Sequence, residues 1–223
     1  MKKLLALMLA LALTLSLAAC SVKINPTDDG ADKTEPSSGN IWKEDLFHFG
    51  TVNGSDYEND LLGYGCALEG WTFADADMIA QLNQIGKDLL TEDVQEAFEK
   101  TGAIMDMFAQ TEDGLQNINI QFQDMNVLYS MLLSADKLVD MTIPQLPATL
   151  EGAGYENINI EKTTVSLGGD EHPAISIVSE IYGVPTYQKE VVVVRKGYAI
   201  FIAVTSMLED NTDALFELFY KLS

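Results

Sequence analysis

The feature that most constrains the fold is a series of four strand-like segments in the second half of the chain, joined by very short connections. The segments lie near Ile158–Leu167, Ala174–Ile181, Tyr187–Val194 and Tyr198–Val204. Their connections contain Gly168-Gly169-Asp170, Tyr182-Gly183-Val184-Pro185 and Arg195-Lys196-Gly197. A parallel crossover needs a dozen residues or more, so connections this short require antiparallel neighbours. The sequence therefore predicts an antiparallel meander. Its centre is expected at Val191–Val194 and Tyr198–Val204, which are apolar at nearly every position.

Upstream of this meander, a hairpin is predicted between strands near 103–110 and 115–122, because Asp113-Gly114 is typical of a tight turn. The second strand alternates apolar and polar residues from 117 to 123, which predicts one buried and one polar face. Asp75 and Ser134 are candidate helix N-caps. A short helix is predicted between Thr91 and Gly102. A terminal helix is predicted beyond Asp210 or Thr212, with its apolar residues Ala214, Leu215, Leu218, Phe219 and Leu222 towards the core.

Together these segments predict an α+β fold, with a curved, mostly antiparallel sheet of about six or seven strands and helices packed on both faces. A leading segment with Tyr57-Glu58-Asn59, Gly63, Leu68 and Gly70-Trp71 precedes a helix, a hairpin, a helical crossover and the meander. This layout resembles the Mog1/PsbP-like α-β-α sandwich over about Tyr57 to Leu222. The resemblance implies a binding or assembly domain rather than an enzyme, and no functional residue carries over from it.

The N-terminus has the three parts of an export signal, namely Lys2 and Lys3, an apolar run to Ala19, and Leu17-Ala18-Ala19-Cys20. The apolar run is shorter than the roughly 20 residues that span a bilayer. The segment resembles the lipobox signal of bacterial lipoproteins, in which the cysteine receives a lipid and becomes the first residue of the mature chain. We expect Cys20 to be that lipid attachment site, with Leu17, Ala18 and Ala19 as its lipobox. An ordinary secretory signal with an incidental cysteine is the alternative.

The expected organisation has three parts: residues 1–19 as signal peptide, 20–45 as lipidated cysteine and flexible polar tether, and 46–223 as a single domain. The chain carries 34 acidic against 13 basic residues and a net charge of −21, which argues against nucleic-acid binding. The same charge is repelled by anionic lipid headgroups, so the expected membrane contact is Cys20 alone. The mature protein is expected outside the cytoplasm, anchored to the membrane surface by its N-terminal lipid. Cys66 is expected to be a buried thiol.

The sequence predicts no catalytic residue, metal site or cofactor. Asp56-Tyr57-Glu58-Asn59-Asp60 and Glu112-Asp113 offer oxygen ligands of the kind that calcium takes, but neither matches an EF-hand, and both are expected to be solvated surface. Asp170-Glu171-His172 is expected to be a polar turn, with a hydrolytic trio as the alternative. His48 is expected to be partly buried between two phenylalanines. Trp71, Tyr182 and Tyr187 are weak candidates for an aromatic binding face.

These features predict a lipid-anchored, non-enzymatic binding or interaction module of the bacterial cell envelope, whose protein or envelope partner is not identified by the sequence. The first alternative is a small-ligand or metal-binding receptor component of a transporter. The second alternative is an envelope hydrolase that uses Asp170, Glu171 and His172.

Overall fold

The computed structural model describes residues 50–88, 104–125 and 133–223, and no side chain of 83–88. The signal peptide, Cys20, the tether, His48 and the helix predicted between Thr91 and Gly102 lie outside the described residues. The described strands are β1 (Thr51–Asn53), β2 (Asp56–Asn59), β3 (Tyr64–Ala67), β4 (Thr72–Phe73), β5 (Ile104–Gln110), β6 (Gln116–Asp124), β7 (Tyr155–Leu167), β8 (Asp170–Ile181), β9 (Val184–Arg195), β10 (Tyr198–Met207) and β11 (Phe219–Lys221). The described helices are α1 (Ala76–Asp88), α2 (Ala135–Thr142), α3 (Leu146–Gly152) and α4 (Thr212–Phe216), with a 3-10 turn at Ile143–Gln145.

The larger of the two sheets has seven strands in the order β4-β5-β6-β10-β9-β8-β7. Every neighbouring pair in it is antiparallel, which confirms the meander and the upstream hairpin. All ten residues of β10 are buried, as expected for a strand at the centre of the sheet and covered on both faces. The helix caps are also confirmed, because Asp75 Oδ1 accepts from Met78 N at 2.8 Å and Ser134 Oγ accepts from Lys137 N at 3.3 Å.

The smaller sheet has four strands in the order β1-β2-β3-β11 and corrects the prediction for the C-terminal segment. The helix that the sequence predicted up to Leu222 ends at Phe216, and Phe219–Lys221 forms β11 instead. In β11, Phe219 pairs with Cys66 and its side chain is buried in the core. Backbone pairing with β3 therefore overrides the helical spacing of Leu218, Phe219 and Leu222, since helical propensity is a weak preference that tertiary context can outweigh.

The two faces of the seven-stranded sheet are covered differently. One face packs against the smaller sheet and the short helix α4, with a core that includes Tyr57, Phe122 and Phe216. The other face packs against α2 and α3, with a core that includes Val139, Leu150 and Phe201. The fold is thus dominated by antiparallel sheet. In the described part of the chain, α2 and α3 cover one face, whereas the smaller sheet occupies most of the other.

A carboxylate on β5 joins the two sheets. The register of β5 against β6 shifts between Met105 and Met107, so Asp106 is the extra residue of a β-bulge. Asp106 accepts hydrogen bonds from Tyr57 Oη, from Asn59 Nδ2 at 2.8 Å and from Gly50 N at 3.0 Å. Burial raises the pKa of Asp106, and these three donors oppose that rise. Asp106 therefore connects β5 of the seven-stranded sheet to β2 of the smaller one.

Replacement of Asp106 by alanine should destabilise the protein strongly. The substitution leaves the buried donors of Tyr57 and Asn59 without their acceptor, and each such group costs about 1–3 kcal/mol. We expect the free energy of unfolding, measured by chemical denaturation, to fall by about 3 kcal/mol. Asp60→Ala, at an exposed position beside Asn59, is the matched control and should change it by less than about 0.5 kcal/mol. Equal effects of the two substitutions would show that Asp106 does not join the sheets.

Candidate functional site

The helix-covered face of the seven-stranded sheet contains a buried layer of polar side chains, which we call the polar layer. Paired residues on neighbouring strands share a face, so the strand registers identify its members. They are Asn117, Asn119, Gln121 and Gln123 of β6, Thr205 of β10, Thr186, Gln188 and Glu190 of β9, and Ser179 of β8. Each is at most 8% exposed. The polar face that the sequence predicted for β6 is therefore buried, and it continues across three more strands.

Two hydrogen bonds within the polar layer orient three of its five amide side chains. Gln188 Nε2 donates to Thr205 Oγ1 at 3.0 Å, and Gln121 Nε2 donates to Asn119 Oδ1 at 3.2 Å. These bonds use the donor end of Gln188 and the acceptor end of Asn119. The other ends, Gln188 Oε1 and Asn119 Nδ2, are buried and have no hydrogen-bond partner among the described residues, and the same holds for Ser179 Oγ. The polar layer thus presents several unused hydrogen-bonding groups within a small area.

Glu190 is the one ionisable member of the polar layer. Its side chain is 1% exposed, and no described residue hydrogen-bonds to either carboxylate oxygen. Burial raises the pKa of Glu190 to about 8, since desolvation penalises the charged form and no described residue offsets the penalty. The side chain is consequently a neutral carboxylic acid at pH 7. A buried acid with a perturbed pKa and unused oxygens is typical of a functional site.

The strand registers place Glu190 and Asn119 on either side of a small residue. Glu190 pairs with Ala203, and Ala203 pairs with Asn119, so the three lie in one row across β9, β10 and β6. Strands are spaced about 4.8 Å apart, so the Cα atoms of Glu190 and Asn119 are about 10 Å apart. Ala203 has only a methyl group between these two longer side chains. The row therefore has polar groups at its sides and little side-chain volume at its centre.

A second polar cluster lies on the opposite face, where β8 meets the smaller sheet. Tyr64 Oη donates to Asp170 Oδ2 at 2.7 Å and lies 3.0 Å from His172 Nε2. Lys221 Nζ donates to Asp170 Oδ2 at 2.6 Å, and this cation holds the pKa of the Asp170 carboxyl below its usual range. Burial lowers the pKa of His172. An open groove of about 330 Å³ beside this cluster is lined partly by His172 and Lys162.

This cluster does not have the parts of a hydrolase. Asp170, Glu171 and His172 begin β8 rather than form the expected turn. Alternation along β8 places Asp170 and His172 on one face and Glu171 on the other, so the trio of the hydrolase alternative does not converge. Burial raises the pKa of Tyr64 to about 12, which makes its hydroxyl a poor nucleophile at neutral pH. The thiol of Cys66 is buried and its pKa is raised, also to about 12. The contacts of Tyr64, Asp170 and Lys221 instead connect β3, β8 and β11.

The three aromatic residues predicted for a binding face do not come together. Trp71 is partly buried against the core between the sheets, next to β4. Tyr187 lies on β9, and three strands separate β4 from β9. Tyr182 is 78% exposed in the turn between β8 and β9, where its φ is 52°. These positions do not form one aromatic surface.

The acidic motifs singled out in the sequence have structural contacts. Within 56–60, Tyr57 and Asn59 are buried and bind Asp106, whereas Glu58 and Asp60 are exposed. Asp113 Oδ1 accepts from Thr111 Oγ1 at 2.7 Å and from Leu115 N at 3.0 Å, which stabilises the β5–β6 turn. Within the described ranges, no group of three or more His, Cys, Asp and Glu side chains is placed to hold a metal ion. No helix in that part of the chain is long and apolar enough to cross a bilayer.

The sequence did not identify Glu190, Gln188 and Asn119 as a site. The available signal was the i, i+2 spacing of the polar residues Thr186, Gln188 and Glu190. The amide side chains of β6 have the same spacing. Only the register between strands reveals that the two polar stripes share a face. A scan against models of known protein families finds no match to the chain, and a search of curated proteins finds no match either.

Glu190→Gln should stabilise the protein increasingly as the pH rises. The folded pKa of about 8 lies above the ordinary value of 4.5, so the folded state retains a proton that the unfolded state has lost. The wild type loses stability by about 1.4 kcal/mol for each pH unit between these two values, and glutamine has no such loss. Urea unfolding from pH 4.5 to 9 should therefore show a widening advantage of Glu190→Gln. A constant difference across this range would contradict the assignment, and Glu156→Gln, at an exposed position, should show no trend.

Proposed function

We propose that this protein is a lipid-anchored, extracytoplasmic binding module of the bacterial cell envelope, without an enzymatic role, and that its folded body holds a small polar ligand at the polar layer. The observation that carries the proposal is the set of unused hydrogen-bonding groups around Glu190, Gln188 and Asn119. Each such buried group costs about 1–3 kcal/mol when it has no partner. A ligand that supplies the missing partners offsets that cost, as expected of a binding site.

The burial of the polar layer favours a small ligand over a protein partner. A docked protein needs an accessible surface, and every side chain of the layer is at most 8% exposed. A receptor component of a transporter is one role consistent with this size of ligand. The cluster of Tyr64, Asp170 and His172 gives no comparable support to a hydrolase, because it lacks an activated nucleophile.

The anchor rests on the N-terminal sequence, which resembles a lipoprotein signal and ends at Cys20. Two or more acyl chains on one residue give durable attachment, so no further membrane contact is needed. The net charge of −21 supports a body that stands off an anionic surface on its tether. The likeness to the Mog1/PsbP-like sandwich is likewise a proposal, supported by helices α2 and α3 on one face of the antiparallel sheet and α4 on the other.

A ligand screen tests the binding function. The full chain should be heated with separate panels of sugars, amino acids, amines, short peptides and metal salts. A ligand present at 100 times its Kd stabilises the folded state by about 2.7 kcal/mol. For a chain of this size, that corresponds to a rise in Tm of roughly 5–10 °C. The rise should be lost in Asn119→Ala and retained in the exposed-site variant Asp60→Ala. No rise with any panel would refute the proposed function.

Substitution of the proposed lipid attachment site tests the anchor. Cys20→Ser removes the thiol that would carry the lipid, so the protein should move from the membrane fraction to the soluble fraction after cell disruption. The variant should keep the wild-type Tm, because the sequence predicts that Cys20 begins a flexible polar tether. Ser21→Ala is the neighbouring control and should remain with the membrane. A Cys20→Ser protein that stayed in the membrane fraction would refute attachment through this residue.

A further inference from the structure

We propose that the polar layer binds a small organic monocation through a primary ammonium group, which lies over Ala203 between Glu190 and Gln188 on one side and Asn119 on the other. This inference rests on the proposed function, since it names the ligand class of the same site. Three observations support it: the kind of group left unused, the small side chain at the centre of the row, and the number of charges.

The unused groups of Glu190, Gln188 and Asn119 are mostly hydrogen-bond acceptors. Both carboxylate oxygens of Glu190 and Oε1 of Gln188 are buried without a partner among the described residues, against one unused donor, Asn119 Nδ2. A primary ammonium group has three N–H donors and no acceptor, so it complements three acceptors. Hydrogen bonds from an ammonium to a carboxylate are charge-assisted and roughly twice as strong as neutral ones. Asn119 is then left to bind an oxygen elsewhere on the ligand.

The side chain at the centre of the row is small, because it is the methyl group of Ala203. The registers place its methyl group between Glu190 and Asn119, whose Cα atoms are about 10 Å apart. Gln188 lies two residues from Glu190 along β9, on the same face, so both acceptors are near one point above the sheet. Phe201 lies two residues from Ala203 on that face and is 2% exposed. It provides an apolar neighbour for the carbon chain of the ligand.

The site offers one negative charge, the ionised carboxylate of Glu190, which pairs with one positive charge on a ligand. Glu190 is the only ionisable side chain in the polar layer, and the charged residues of α2 and α3, which pack on this face, are exposed: Asp136, Lys137, Asp140 and Glu151. The charged residue next to Glu190 in β9, Lys189, lies on the opposite face and binds Asp213. A divalent metal is disfavoured, because calcium takes six to eight oxygens, commonly from several carboxylates. A single carboxylate with one amide oxygen suits a monovalent ammonium.

Binding should exchange one cation for one proton. Without ligand, burial keeps Glu190 protonated at pH 7, because its pKa is raised to about 8. The ammonium favours the ionised carboxylate, so the O–H bond of Glu190 breaks and the proton leaves to the buffer as the ammonium enters. Primary alkylammonium ions keep their charge below pH 9, since amines of this type have a pKa near that of lysine, about 10.4.

Calorimetric titration of the full chain with n-propylammonium chloride, from pH 6 to pH 9, tests this exchange. The association constant should rise about tenfold per pH unit up to pH 8 and then level off. Titrations at pH 7 in buffers of different ionisation enthalpy should show release of on the order of one proton per ion bound. Tetramethylammonium, which has no N–H donor, and propan-1-ol, which has no charge, should each bind at least about tenfold more weakly.

The variant Glu190→Gln keeps the shape of the neutral acid and removes the ionisable group. At pH 9 it should bind n-propylammonium at least about tenfold more weakly and release no proton. Glu156→Gln should behave as the wild type. Binding that does not depend on pH, equal binding of tetramethylammonium, unchanged binding by Glu190→Gln, or no saturable binding of n-propyl-, n-butyl- or ethanolammonium at pH 9 would each overturn the inference. Stabilisation by a neutral ligand without a response to these amines overturns this inference alone, whereas no response to any panel overturns the proposed function too.

Discussion

The arrangement of this molecule depends on one carboxylate. Asp106 occupies a β-bulge, and the bulge turns its side chain out of the ladder towards the smaller sheet, where Tyr57, Asn59 and Gly50 donate to it. Without the extra residue, the period-2 alternation of β5 would offer this face only apolar side chains. These contacts fix the position of one sheet on the other. The apolar core between the sheets packs around Tyr57 and Phe122. Arg195 adds a further contact, since its Nη1 donates to Leu62 O at 2.8 Å.

The two faces of the seven-stranded sheet carry different kinds of side chain. The face towards the smaller sheet is packed with apolar side chains and supplies much of the hydrophobic stabilisation. The other face combines an apolar cluster under α2 and α3 with the polar layer. Unsatisfied buried polar groups destabilise a fold, and such local departures from good packing are expected at functional sites. In the function that we propose, the apolar face stabilises the fold and the polar layer binds the ligand.

Much of the fold follows from local sequence signals, because short connections restrict the chain to few arrangements. The turns at Asp113-Gly114 and Lys196-Gly197 fix antiparallel neighbours, and Asp75 and Ser134 mark helix starts through their side-chain oxygens. Phe219 was misassigned because its helical spacing is compatible with either structure until a partner strand is known. Glu190 was missed for a related reason: between Lys189 and Val191 it is typical of a solvated strand position. Its burial depends on which strands lie beside β9 and what covers them, and neither is encoded locally.

The pairing of β11 with β3 has a consequence for how the protein reaches its folded state. These strands are far apart in sequence, yet Phe219 and Cys66 are direct partners in the smaller sheet. Contacts of such long range form slowly, because loop-closure entropy is lost before they contribute any stability. In the export that we propose, the chain crosses a membrane from its N-terminus, so β3 emerges early and its partner emerges late. Until then β3 has an unpaired edge, which is prone to aggregation. Under this proposal the fold is complete only after translocation, and a chaperone that shields β3 in the interval would increase the yield.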